Sequence, residues 1–331
     1  MPSMSARVVE LLVSFCVLVA LGAPWAHAAD CGAATGKGAV LTIPLWPAGP
    51  PAGSGHAPRA PQHVAGRTAT DPGVIKDVGS PYMEVFRPAV PGRTAVLVLG
   101  GGAYEGIAID QESLPTARWL AGLGVTAAVL YYRLPGDGWA PVAPFQDAQR
   151  AMRILRGCAA SLGIDPRSIG VVGFSAGGNL AGIIATRFGH DFYAPGSAGT
   201  APSSRPDFAA LIYPVSSLAR DTSGTARALA AQKDADAAYT IQKHVSQSTP
   251  PVFIVQQEND PVVDVGTNLA LFDVLRKHGV PAELHIFEGD QHGFGLGQPG
   301  TRAARWPCLF AGWLAYHGWL RGAARKTEQC R

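Results

Sequence analysis

Residues 173–177 read Gly-Phe-Ser-Ala-Gly, which places Ser175 at the centre of a G-x-S-x-G pattern. A short apolar run, 169–172, precedes the pattern, and a segment able to begin a helix follows it at Gly178. This strand–turn–helix context is typical of a nucleophilic serine in a tight turn, where two glycines allow close approach of neighbouring backbones. An ordinary serine in a glycine-rich connection is the alternative, since the pattern alone is common.

A serine nucleophile needs a base that takes its proton and an acid that orients the base. In a strand–turn–helix arrangement of this kind, the expected chain order is serine, acid, histidine. Asp260 follows the predicted strand 252–257, and His292 follows the predicted strand 282–287 in a glycine-flanked loop. Both stand where open parallel sheets place their sites, beyond the carboxyl ends of strands. We therefore predict Asp260 as the acid and His292 as the base.

Other residues compete for both roles. Glu258 and Asp264 lie near Asp260, and a turn or helix-capping role is the alternative for all three carboxylates. Among the other histidines, His285 lies within a predicted strand and His278 at the end of a predicted helix. Neither histidine has the position beyond a strand end that the chemistry favours.

The tetrahedral intermediate of acyl transfer needs backbone N–H groups that bind its oxyanion. Ala176, the residue after the candidate nucleophile, is one expected donor. A glycine-rich turn follows the apolar run 95–99, and we predict Gly101, Gly102 and Ala103 as the others. A phosphate-binding loop is the competing interpretation, but the turn has neither G-K-[ST] nor G-x-G-x-x-G.

Two aromatic residues, Tyr104 and Trp139, lie in predicted loops near the mouth of this site. They either stack on a sugar ring of a substrate or pack beneath a neighbouring segment. No C-x-x-C pair and no cluster of cysteines and histidines has the spacing of a zinc site, so we predict no metal.

The chain from residue 95 onward alternates apolar runs with helix-forming segments. We predict strands at 95–99, 125–131, 169–172, 209–213, 252–257 and 282–287, an early strand at 82–87, and helices at 114–123, 147–162, 267–278 and 302–321. This alternation predicts a mainly parallel sheet with helices on both faces. The mixed stretch 216–248 is a candidate small cap before the acid-bearing strand. Residues 29–80 form a predicted N-terminal wrapping segment, and 81–331 form the catalytic domain.

The first 28 residues are typical of a signal peptide. Arg7 supplies the positive charge, residues 11–21 the apolar core, and Ala26-His27-Ala28 a cleavage site after Ala28. The apolar core is short for a membrane span, although a retained anchor is the alternative. We therefore predict a secreted or periplasmic protein with no stable membrane insertion after cleavage.

The net charge bears on which partners the protein binds, and the number of cysteines bears on whether it forms disulfides. With 27 basic and 24 acidic residues the formal charge is +3, which favours neither nucleic acid nor an acidic membrane as a partner.

Four cysteines remain after signal removal, which in an exported protein predicts two disulfides with three possible connectivities. Predicted helices place Cys158 and Cys308 on opposite faces, which argues against a bond between them. Of the two pairings that remain, we favour Cys31–Cys158 with Cys308–Cys330. Free buried thiols are the alternative.

With these residues placed, the chain resembles the α/β-hydrolase superfamily, and more closely its acetylesterase and acetyl-xylan-esterase-like branch, which is often labelled xylanase-associated. The matching stretch runs from about residue 95 to 320. Besides the serine motif, it contains G-G-G-A-Y-E-G (100–106), A-R-W-L-A-G-L-G-V (117–125), Y-R-L (132–134), D-A-Q-R-A-M-R-I-L-R (147–156), D-P-V-V (260–263) and H-G-F-G (292–295).

This resemblance implies Ser175, Asp260 and His292 as a catalytic triad, no cofactor, and activity on short acyl esters, including acetyl groups on plant polysaccharides. Two residues depart from the family pattern. Gly100 stands where the family usually has Pro or His, and Ala103 replaces a common glycine. Backbone donors remain after both changes, but loop orientation and acyl preference are open.

We therefore predict an exported serine esterase that acts on a small-molecule or carbohydrate ester through an acyl-enzyme. A lipase- or peptidase-like hydrolase is the alternative among enzymes. A lipase favours a broad apolar lid, whereas 216–248 is largely polar and Ala-rich. A catalytically silent binding protein is the alternative outside enzymes, and it predicts a broken triad. The sequence does not predict the oligomeric state.

Overall fold

The computed structural model describes residues 40–51, 60–65, 73–194 and 201–320. The predicted signal peptide lies outside the described residues, and so do Cys31 and Cys330. The cleavage site and the disulfide pairing therefore stay predictions. Within the described ranges, no helix combines the length and the apolar character needed to cross a membrane.

The described residues form eleven strands and eight α-helices. The strands are β1 (Val40–Pro44), β2 (Gln62–Val64), β3 (Val74–Lys76), β4 (Tyr82–Phe86), β5 (Ala95–Leu99), β6 (Ile107–Ala108), β7 (Thr126–Tyr131), β8 (Ile169–Phe174), β9 (Ala209–Ile212), β10 (Val252–Gln257) and β11 (Ala282–Phe287). The helices are α1 (Leu114–Gly122), α2 (Ala143–Gly157), α3 (Ala159–Leu162), α4 (Ser175–Thr186), α5 (Thr225–Leu229), α6 (Ala235–Tyr239), α7 (Val265–Lys277) and α8 (Trp306–Tyr316).

One eight-stranded sheet positions the candidate residues. Its strand order is β1-β4-β7-β5-β8-β9-β10-β11, and every pair from β7 to β11 is parallel. Every residue of β5, β7, β8, β9 and β10 is buried, because helices and loops cover both faces. The predicted mainly parallel sheet is confirmed, and it brings the carboxyl ends of β5, β8, β10 and β11 to one edge.

The N-terminal part of the described chain extends this sheet at one side. β1 pairs antiparallel with β4, which pairs antiparallel with β7. A separate antiparallel sheet of β2, β3 and β6 lies beside the glycine-rich turn, since β6 follows that turn directly. The wrapping segment therefore contributes strands to both sheets.

Several predicted boundaries change. The helix predicted at 147–162 begins at Ala143, because Pro144 fits the first turn of a helix, and it ends at Gly157 before the short α3. The strand predicted at 209–213 stops at Ile212, since Tyr213 has a φ of 39°. The closing helix predicted at 302–321 is a 3-10 turn followed by α8, which ends at Tyr316.

The insertion between β9 and β10 forms the predicted small cap. It contains α5, α6 and two 3-10 turns, Leu218–Arg220 and Ile241–His244. Its Tyr239 ring stacks on Phe145 of α2 at a centroid distance of 4.2 Å. Arg187, just after α4, donates to the backbone oxygen of Ala238 at 2.7 Å. These contacts bind the cap to the helices beneath it.

Candidate active site

Ser175 occupies the sharp turn between β8 and α4. Its φ is 51°, a left-handed value that is uncommon outside glycine. A Cβ on Gly173 would collide with the carbonyl oxygen of Gly177, and a Cβ on Gly177 would collide with the carbonyl oxygen of Leu99. The glycines on either side of Ser175 are therefore required by close backbone approach, and they leave the serine hydroxyl at the edge of the sheet.

His292 lies in the histidine loop, residues 288–295, which follows β11. Its Nε2 is 2.8 Å from Oγ of Ser175. The loop is held to the end of β10, because the side-chain oxygen of Gln257 accepts the amide of Gln291 at 2.7 Å. The histidine side chain is 16% exposed, so one part of the ring faces the site opening.

Asp260 lies just beyond β10 and contacts the other nitrogen of the histidine. Its Oδ2 is 2.8 Å from Nδ1 of His292 and also accepts the amide of Gln256 at 2.9 Å. Its Oδ1 accepts the backbone amides of Val262 and Val263 at 2.8 and 2.9 Å. Donors thus reach both oxygens, as suits an ionised carboxylate that must keep one orientation.

The competing acids have other positions. Asp264 caps α7, and its Oδ1 accepts the amide of Gly266 at 2.8 Å. Glu258 is exposed. Of these three carboxylates, Asp260 is therefore the one that contacts His292, which in turn contacts Ser175, and this is the geometry expected of a Ser-His-Asp triad.

The oxyanion turn, residues 100–104, follows β5 and faces the serine. Gly102, Ala103 and Tyr104 all have positive φ values, of 119°, 55° and 58°. The amides of Gly102 and Ala103 have no hydrogen-bond acceptor among the described residues. Ala176 stands in the first turn of α4, where the helix itself gives an amide no acceptor. These three amides remain as candidate oxyanion donors.

Gly101 does not belong to this donor set. Its amide donates to Oε2 of Glu112 at 2.6 Å, so it is already engaged. A Cβ on Gly101 would lie 2.8 Å from the Cβ of Ser175, which shows how closely this residue approaches the serine. The predicted role of Gly101 is therefore corrected: it anchors the turn, and Gly102 and Ala103 follow it into the site.

The predicted substrate contacts of Tyr104 and Trp139 are wrong, because both side chains are buried. Tyr104 is fully buried, and its hydroxyl donates to Oδ1 of Asn179 at 3.0 Å. Trp139 is 4% exposed, with the guanidinium of Arg133 5.1 Å from its ring centroid. The left-handed backbone at Tyr104 turns its ring into the core, where it packs against Phe145.

Sequence reasoning missed two buried residues beside the triad, Glu112 and Tyr213. The Tyr213 hydroxyl donates to Oε1 of Glu112 at 2.9 Å, and its ring lies edge-on to His292 at 4.9 Å. Burial raises the pKa of Glu112, whereas the Gly101 amide, the Tyr213 hydroxyl and a protonated His292 lower it. Burial and the nearby Glu112 raise the pKa of Tyr213 well above its ordinary value, so the phenol stays protonated.

Comparison with known proteins agrees with this architecture. The sequence profile of a family described as alpha/beta hydrolase fold matches residues 96–296, more than half of the chain. The chain belongs to the α/β-hydrolase fold family. The resemblance inferred from the sequence motifs is therefore confirmed.

Individual relatives of this α/β hydrolase include esterases. An acetylxylan esterase of Xylanibacter ruminicola is 31% identical over 233 residues, which cover 67% of this chain and 45% of that protein. The chain thus spans less than half the length of this relative. An acetyl ester-xyloside bifunctional hydrolase from Caldicellulosiruptor lactoaceticus is 35% identical in its crystal structure, with a TM-score of 0.66 and coverage of 73% and 89%. A thermophilic esterase from Thermogutta terrifontis is 27% identical, with a TM-score of 0.65 and coverage of 74% and 90%.

Proposed function

We propose that this α/β hydrolase is a serine esterase that cleaves short acyl esters, acetyl esters above all, through an acyl-enzyme on Ser175. The observation that carries the proposal is the position of His292, which lies 2.8 Å from Ser175 on one side and 2.8 Å from Asp260 on the other. Relatives named acetylxylan esterase and acetyl ester-xyloside hydrolase support an acetyl group on a carbohydrate or a small molecule as the substrate.

The proposed reaction begins when Nε2 of His292 takes the proton of Ser175 as Oγ attacks the ester carbonyl carbon. The carbonyl electrons move to oxygen, and the amides of Gly102, Ala103 and Ala176 donate to the resulting oxyanion. The imidazolium then protonates the leaving alcohol as the carbon–oxygen bond of the ester breaks.

A water molecule next attacks the acyl carbon while His292 takes one of its protons. The bond from that carbon to Oγ of Ser175 then breaks, His292 returns the proton to Oγ, and the carboxylic acid leaves. Asp260 holds Nδ1–H of His292 in place through both steps and stabilises the imidazolium. The two backbone amides on its other oxygen keep the carboxylate from rotating away.

The first test is hydrolysis of p-nitrophenyl acetate, butyrate and octanoate by the purified protein and by Ser175→Ala. We expect the highest kcat/KM with acetate and a loss of about 10³-fold or more in the variant, because its nucleophile is gone. Circular dichroism of the variant checks that it is folded. Turnover retained by Ser175→Ala would contradict the nucleophile, and no turnover of any ester would contradict the activity.

The carbohydrate substrate has its own test. We expect release of acetate from acetylated xylan, measured against the same polymer after alkaline deacetylation. Hydrolysis of p-nitrophenyl acetate without release of acetate from the polymer would limit the function to small esters.

We also propose that the protein is exported to the periplasm or the medium, with residues 1–28 removed as a signal peptide. In that oxidising compartment the favoured disulfides are Cys31–Cys158 and Cys308–Cys330. N-terminal sequencing of the exported protein should begin at residue 29. Peptide mapping without reduction should recover the two cross-linked pairs, and free thiols at these cysteines would contradict the pairing.

A further inference from the structure

Glu112 is a buried carboxylate next to the candidate site that the proposed reaction does not use. It lies in a π-helical turn, Ile109–Ser113, between β6 and α1, and it is 3% exposed. Each of its oxygens has one donor: Oε2 accepts the Gly101 amide at 2.6 Å, and Oε1 accepts the Tyr213 hydroxyl at 2.9 Å. A carboxylate fits both donors, because both of its oxygens accept.

The direction of the Tyr213 hydrogen bond is fixed by the histidine loop. The amide of Gly295 donates to the Tyr213 oxygen at 3.0 Å, so the hydroxyl proton is free to point at Glu112. The Tyr213 ring also packs edge-on against His292 and against Phe294, at centroid distances of 4.9 and 4.4 Å. Glu112 is thereby connected to the loop that carries the base.

The turn that carries Glu112 touches the histidine loop directly as well. The side-chain amide of Gln111 donates to the backbone oxygen of Gly293. A Cβ on Gly295 would collide with the backbone oxygen of Gln111, so the two backbones are in close contact. The contacts of Gln111 and Glu112 therefore act on the same loop from adjacent positions.

We propose that Glu112 is a positioning residue, which holds the oxyanion turn through Gly101 and the histidine loop through Tyr213 in one fixed relation. This inference rests on the proposed function. When Gly101 is anchored, the amides of Gly102 and Ala103 face the place where the oxyanion forms. When Tyr213 is anchored, its ring supports the face of His292. The two halves of the site are then aligned by one side chain that touches neither the substrate nor the nucleophile.

Glu112→Gln tests this role, because the amide keeps the shape and loses one acceptor. If the remaining oxygen accepts from Gly101, the NH₂ group faces the Tyr213 oxygen, whose own proton then has no acceptor. We expect kcat for p-nitrophenyl acetate to fall by about 10²-fold, as for loss of one oxyanion donor. KM should change little, since no substrate contact is removed.

Two further variants test the hydrogen bond between Glu112 and Tyr213 by itself. Tyr213→Phe should cost roughly tenfold in kcat, because Gly101 keeps its acceptor while one buried hydrogen bond is lost. The double variant with Glu112→Gln should lose little more than Glu112→Gln alone, since both changes break the same hydrogen bond. Glu84→Gln is the matched control, because Glu84 accepts the hydroxyl of Tyr131 at 2.9 Å in the antiparallel part of the sheet. It should leave kcat unchanged.

Hydrogen exchange gives a measurement that does not depend on turnover. We expect faster exchange in peptides covering the oxyanion turn and the histidine loop in Glu112→Gln, and not in Glu84→Gln. If the wild-type protein hydrolyses no ester, the proposed function fails, and this exchange pattern still decides whether Glu112 holds the two segments. Unchanged exchange in both segments, or wild-type kcat in Glu112→Gln, would overturn the proposal. If Glu112→Gln does not fold, Tyr213→Phe decides by the same two readouts.

Discussion

Replacement of Asp260 by Asn tests whether the hydrogen bonds of this carboxylate fix the tautomer of His292. The amides of Val262 and Val263 both donate to Oδ1, so the oxygen of Asn must stay there. Its NH₂ group then takes the position of Oδ2 and donates to Nδ1 of His292. The imidazole proton is thereby placed on Nε2, which can no longer accept the proton of Ser175.

Neighbouring side-chain amides hold the new Asn side chain of the variant in this orientation, with its NH₂ group toward His292. Nε2 of Gln256 donates to Asp260 and to the backbone oxygen of Val263, and Oε1 of Gln256 accepts from Asn268 at 2.7 Å. In the variant two NH₂ groups face each other. Rotation of the Gln256 amide would relieve that contact only by breaking its bonds to Val263 and Asn268. We expect a loss of about 1–3 kcal/mol in the free energy of unfolding from these buried groups.

The effect on catalysis should exceed the effect on stability. We expect kcat for p-nitrophenyl acetate at pH 8 to fall about 10⁴-fold, as for the wrong histidine tautomer in a serine triad. A loss of this size corresponds to about 5.4 kcal/mol in the activation barrier. Steady-state kinetics at 25 °C measure it, and urea unfolding measures the stability of the same sample.

Asp264→Asn is the matched control for this experiment. Asp264 caps α7 through the amide of Gly266, and Asn caps helices about as well as Asp. The control should therefore keep both kcat and stability. An Asp260→Asn enzyme with more than a tenth of the wild-type kcat would refute the tautomer argument, and an equal loss in the control would refute the choice of Asp260 as the acid.

Three further predictions concern the surrounding residues. Tyr104→Phe leaves the buried Oδ1 of Asn179 without its donor, so urea unfolding should show a loss of about 1–3 kcal/mol in the free energy of unfolding. KM should stay unchanged because Tyr104 is buried, and a raised KM would contradict this assignment. Gly177→Ala places a Cβ against the backbone that ends β5 and should sharply reduce the yield of folded protein, whereas Gly122→Ala in α1 meets no atom within 4 Å and should be tolerated in the same expression trial. Burial raises the pKa of Glu112 above its ordinary value of 4.5, so its stabilising contribution is present below that pH and is lost as pH rises through the folded value. The unfolding free energy of Glu112→Gln minus that of the wild type should therefore rise as pH increases above 4.5. A difference that does not change with pH would contradict a raised pKa at Glu112.

The sheet and the strand-end positions of Ser175, Asp260 and His292 follow from the sequence because they depend on local patterns. Apolar runs mark β8 and the start of β10, and alternating apolar residues mark β11; a parallel sheet places the polar residues just beyond each strand at one edge. The chain order of the three residues adds an independent constraint. Their meeting in space therefore needs no knowledge of detailed packing.

The remaining parts of the site depend on tertiary contacts that no local pattern displays. Gly101 was expected to face the oxyanion, and its engagement by Glu112 requires a π-helical turn that brings an acid back toward the glycines. Tyr104 was a candidate substrate contact, and its burial follows from left-handed backbone at two non-glycine residues, Ala103 and Tyr104. No local pattern marks Glu112, because it stands in a polar run with Asp110, Gln111 and Ser113.

One buried amide has a consequence for how this protein can change. Nδ2 of Asn179, in α4, donates to the backbone oxygens of Val215 and Tyr239 at 2.8 Å each, while its Oδ1 accepts from Tyr104. The backbone is thus held just before the cap, at Val215, and at the end of α6, at Tyr239, through main-chain oxygens that any residue type supplies. The side chains between these two residues can therefore vary without loss of either hydrogen bond, so Asn179 tolerates sequence change in most of the cap.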